Sequence, residues 1–162
     1  PEHAERLARA GLWASLAGHR AGAIYLHAWH LREAEALTSV YGPTAAILHG
    51  VDLGASTWRK AYFDKVTGPS SYHYGMVGDK ERAMLFFMRT SAHHDEAYGP
   101  LSGVVMRVGD FERGEYAIQW WRPGDTEPFE RSTLRCADGT VLVSVPDGLR
   151  WHWMATIVPA EE

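Results

Sequence analysis

The apolar pattern of this chain changes period once, from helical spacing in the first third to strand-like alternation afterwards, and that change restricts the possible folds more than any other feature. A helix with one apolar stripe and a strand with one apolar face each need a surface to bury it against. The change falls between Leu53 and Ser71, so two units are expected, residues 1–54 and residues 55–162.

In the first unit, Ala, Leu, Arg and Glu are dense from Glu2 to Ala17, and Leu7, Ala10, Ala14 and Ala17 are spaced to form one face of a helix that Gly18 would stop. Ala21 to His27 is a short, nearly continuous apolar run, the composition of a strand buried on both faces of a parallel sheet. After Ala28-Trp29-His30 a second helical stretch runs from Arg32 to Val40 and again from Pro43 to His49. Pro43 suits a first helical position there and Gly50 the exit. Helix, strand, loop and helix in this order make up a unit like those of a barrel.

Beyond Gly68-Pro69 short strands follow at regular intervals with turn residues between them, the signature of an antiparallel sandwich. Tyr72 to Val77 and Ala83 to Thr90 flank Gly78-Asp79-Lys80-Glu81 and read as a hairpin whose second arm is apolar on both faces. Further strands are expected over Gly103–Val108, Glu115–Trp121, Phe129–Cys136, Thr140–Val145 and Arg150–Val158. Thr57 to Phe63 reads as one more, entering the sandwich with a face made polar by Arg59 and Lys60.

A chain of 162 residues with 46% hydrophobic and 22% charged content is a folded domain, and it falls short of the roughly 250 residues of a whole (β/α)₈ barrel. No apolar run approaches the roughly 20 residues that cross a bilayer, so no membrane partner is expected. The net charge of -4 gives no electrostatic reason to expect nucleic acid. The single cysteine, Cys136, excludes an internal disulfide and a multi-cysteine metal site, and reads as a small strand residue. The chain opens Pro1-Glu2-His3 with neither an initiator methionine nor a signal-like segment. It therefore reads as a piece of a longer protein, in which any secretory or periplasmic signal would stand upstream.

Seven tryptophans raise the question of a sugar-stacking platform. Trp151 and Trp153 share a strand face with Leu149, Ala155 and Ile157, which reads as interior, and Trp120 and Trp121 point to opposite faces, so at most one of them can be exposed. His93-His94-Asp95-Glu96 holds metal-ligand residue types, but adjacent side chains on an extended chain diverge, and a solvated loop is expected rather than a metal site. Glu33 and Glu35, two apart, do not share a helical face and read as surface charges rather than an acid and base pair. No Gly-x-Ser-x-Gly elbow is present. His27, Trp29 and His30 stand at the end of the expected parallel strand, where barrel enzymes line their substrate sites; packing inside the barrel mouth explains them equally well.

The stretch Gly11-Leu12-Trp13-Ala14-Ser15-Leu16-Ala17-Gly18, followed by Ala21-Gly22-Ala23-Ile24-Tyr25 and Trp29, resembles the end of a cellulase-like (β/α)₈ glycoside hydrolase. The segments from Asp79 to Leu85, from Gly114 to Trp121 and from Trp151 to Thr156 resemble the C-terminal β-sandwich appended to such barrels, labelled a collagen-binding domain in apiosidase-like hydrolases. The resemblance implies a barrel remnant followed by an immunoglobulin-like sandwich, with Trp29 at the floor of a sugar site. It also implies that both catalytic glutamates precede Pro1, on an upstream barrel that would be the partner of this segment. The chain alone is then expected to be inactive, without cofactor, and to stabilise the barrel or assist carbohydrate binding. The alternative is a free-standing carbohydrate- or protein-binding module.

Overall fold

The computed structural model describes residues 12–13, 34–49, 51, 57–68, 71–89 and 100–160. Among the described residues the helix α1 (Ala34–His49) precedes nine strands: β1 (Trp58–Lys60), β2 (Phe63–Thr67), β3 (Ser71–Gly78), β4 (Arg82–Arg89), β5 (Val105–Gly109), β6 (Gly114–Trp121), β7 (Glu130–Cys136), β8 (Thr140–Ser144) and β9 (His152–Pro159). The strands form a six-stranded sheet in the order β1-β3-β4-β9-β6-β7 and a three-stranded sheet in the order β2-β5-β8, antiparallel throughout.

The two sheets face each other across one apolar layer. The larger sheet supplies Leu85, Phe87, Ile118, Trp120, Trp153, Ala155 and Ile157, and the smaller supplies Met106, Val108, Val141 and Val143. Successive side chains on a strand point to opposite faces, so the alternate residues of β4 and β9 emerge on the other side of the larger sheet. There Met84, Phe86 and Met154 meet Leu12, Trp13, Ile47 and Val51 in a second apolar cluster. The apolar character of β4 on both faces thus has a direct cause: one face meets a sheet, the other a helical layer.

The expected hairpin forms with β3 and β4 in continuous register from Ser71↔Arg89 to Gly78↔Arg82. Its turn needs two residues at positive φ, which Asp79 (φ 48°) and Lys80 (φ 64°) provide. The chain contains no asparagine, the residue other than glycine best suited to such positions. Contacts to neighbouring loops hold the turn instead. The Asp79 carboxylate accepts from the Thr57 amide at 2.9 Å, and the Glu112 amide donates to the Lys80 carbonyl at 2.8 Å.

The strand expected over Thr57–Phe63 is in fact two strands in different sheets. The Ala61 amide donates to Gly75 O at 2.7 Å in the larger sheet, while the carbonyl of the next residue, Tyr62, accepts from the Gly109 amide at 3.0 Å in the smaller. One corner residue pair therefore carries the chain from sheet to sheet, as strands do at the corners of packed sheets.

The helix departs from expectation at Pro43, which α1 (Ala34–His49) runs through instead of restarting there. A proline inside a helix removes one amide donor and crowds the preceding turn. Packing offsets this cost, since Ile47 is buried in the second cluster with Tyr41, Ala46 and Leu48 against it. Leu12 and Trp13 are helical and buried, although neither belongs to the face read from Leu7, Ala10, Ala14 and Ala17. The remainder of that helix and the strand expected over Ala21–His27 lie outside the described residues.

Candidate functional site

His27, Trp29 and His30 lie outside the described residues, as do His93-His94-Asp95-Glu96 and Glu33, while Glu35 falls within α1. The tryptophan readings fall on described strands. Trp153 is buried with Leu149, Ala155 and Ile157 as expected, whereas Trp151 is half-buried just before β9 and takes no part in that cluster. Trp120 and Trp121 point to opposite faces and both are buried, the first between the sheets and the second beneath the helical layer. None of these rings is a free platform.

The end of the sandwich near Trp153 is closed by polar cover as well. The Arg122 guanidinium lies 3.9 Å from the centroid of Phe129 and 5.9 Å from that of Trp153, and the two rings meet edge to face at 5.1 Å. Cys136 ends β7 buried, its thiol 3.9 Å from the Phe111 carbonyl. Tyr116 donates from its hydroxyl to the Glu112 carbonyl at 2.9 Å, and burial pushes its phenol above the ordinary value, with the charges of Cys136, Glu81 and Glu112 acting in the same direction. These groups bind the sandwich together. Among the described residues, no three His, Cys, Asp or Glu side chains are placed to hold a metal ion, and no helix is long and apolar enough to cross a membrane.

The outward face of the three-stranded sheet is built differently. Inward positions of β5 and β8 are buried valines and Met106, so their alternates, Val105, Arg107, Leu142 and Ser144, must point away from the core. Register aligns Asp64, Arg107 and Leu142 across the three strands. The Asp64 carboxylate pairs with the Arg107 guanidinium at 3.6 Å, both about half exposed. One row along, Gly109 lies beside Tyr62, and a methyl group added to it would meet the Tyr62 side chain at 3.6 Å, an ordinary contact. One row the other way, the register shifts between Lys65 and Thr67, and this bulge leaves Val66 exposed on the surface of β2.

The three exposed large hydrophobic residues among those described are Leu142 at 54% and Val66 at 45% on this sheet and Tyr62 at 69% at the corner just before β2. At the margin of the sheet the Asp138 carboxyl is held below its usual range by hydrogen bonds from the Thr140 hydroxyl (2.8 Å) and amide (3.2 Å), with Arg107 adding a favourable charge. The sequence reading missed this face for definite reasons. Tyr62 sits at the break between two strands that the residue pattern runs together, and Leu142 is hidden inside the apolar run Val141-Leu142-Val143. The available signal was the alternation Tyr62, Asp64 against Phe63.

Compared with known proteins, the chain matches no family model, and no curated protein shows significant similarity to it.

Proposed function

We propose that this chain is the non-catalytic C-terminal portion of a carbohydrate-active glycoside hydrolase, an immunoglobulin-like sandwich that stabilises the upstream barrel and assists substrate binding. The observation that supports its stabilising part, the attachment of the preceding unit to the sandwich, is the second apolar cluster. Trp13 and Ile47, from the unit read as the barrel remnant, are buried against Met84, Phe86 and Met154 of the larger sheet. Burying side chains of this size contributes roughly 1.5–3 kcal/mol each, enough to fasten the preceding helical segment firmly to the sandwich. The hydrogen bond from Trp13 Nε1 to Thr44 Oγ1, 2.9 Å and buried, fixes the orientation of that layer. The Tyr116 hydroxyl bond to the backbone four residues upstream is a device shared by immunoglobulin-like sandwiches, and it supports that part of the proposal.

The test is an activity assay of the 162-residue chain on a panel of plant and bacterial polysaccharides and chromogenic glycosides, beside a longer form carrying the upstream barrel. Activity only in the longer form is the expected result. Turnover by the 162-residue chain would overturn the reading and return attention to its own histidines and carboxylates.

A second reading, a free-standing carbohydrate- or protein-binding module, draws support from the same cluster: helical residues fold back on the sandwich, and no exposed large hydrophobic among the described residues lies in that layer. An environment-sensitive apolar dye separates the two. A segment that has lost barrel neighbours binds it strongly, and a self-contained module does not.

A further inference from the structure

We draw no further inference here: the strongest candidate, the outward face of the three-stranded sheet, where Leu142 and Val66 are exposed beside the half-exposed Asp64 and Arg107 ion pair, carries none because nothing in the structure shows what covers it.

Discussion

At the scale of single residues, the tryptophans show how burial and hydrogen bonding separate in their effects. Trp121 is buried at 5% exposure and its Nε1 donates to the Thr156 hydroxyl at 3.3 Å. Trp58 packs against the same cluster, yet its Nε1 is buried with no hydrogen-bond partner among the described residues. A buried donor without an acceptor carries its full desolvation cost, so removing it relieves the fold as much as the lost packing harms it. Trp58→Phe is therefore expected to change stability by no more than about 1 kcal/mol in either direction. Trp121→Phe, which strands the Thr156 hydroxyl as well, is expected to cost about 1–3 kcal/mol. Urea unfolding of both variants, compared at equal slope, checks this. Equal losses would show that packing alone governs both sites.

At the scale of elements, the strands of the second unit were legible in the sequence because alternation and turn residues act locally. Gly78-Asp79-Lys80-Glu81 announces its hairpin, and Ala137-Asp138-Gly139 separates β7 from β8 where the structure does. The break that local propensity predicts at Pro43 is absent for the opposite reason. Propensity at Pro43 is local, but the burial of Ile47 against Met84 and Phe86 is not, and burial prevails. Nor was the change of sheet at Ala61-Tyr62 visible, because the partners that define it, Gly75 and Gly109, stand far along the chain. Connections between elements make a further contrast testable. Gly68, just after β2, has φ 95°, and a methyl group there would lie 2.7 Å from both the Gly103 carbonyl oxygen and Val104 Cα. Gly148 has nearly the same φ, 97°, with open space around it. Left-handed backbone alone costs an alanine about 1–2 kcal/mol, which is the loss expected for Gly148→Ala. Gly68→Ala should lose a further 1–3 kcal/mol or so, because backbone on both sides must give way. Thermal melts that placed the two variants together would mean that the β2 to β5 connection is looser than its geometry implies.

At the scale of the whole molecule, the sequence divides into a helical unit and a strand unit, and the architecture ties the two through shared strands. β4 sends Leu85 and Phe87 into the layer between the sheets and Met84 and Phe86 into the helical layer; β9 does the same with Ala155 and Ile157 against Met154. No strand can leave one layer without disturbing the other, and this long-range arrangement is what a change of period along the sequence cannot convey. Two layers built on common strands should unfold as one. The helical signal in circular dichroism and the near-ultraviolet signal of the buried tryptophans are expected to melt together, with the amides of β4 and β9 exchanging only through global unfolding. Trp13→Ala, which removes a fully buried ring from the helical layer, should then lower the single transition by about 3–5 kcal/mol of stability without splitting it. An early loss of helix that left the tryptophan signal of the sandwich unchanged would show that the helical layer is only an attachment. In that case Met84, Phe86 and Met154 would be a face covered by convenience, and the fastening of the preceding segment to the sandwich would lose its physical basis.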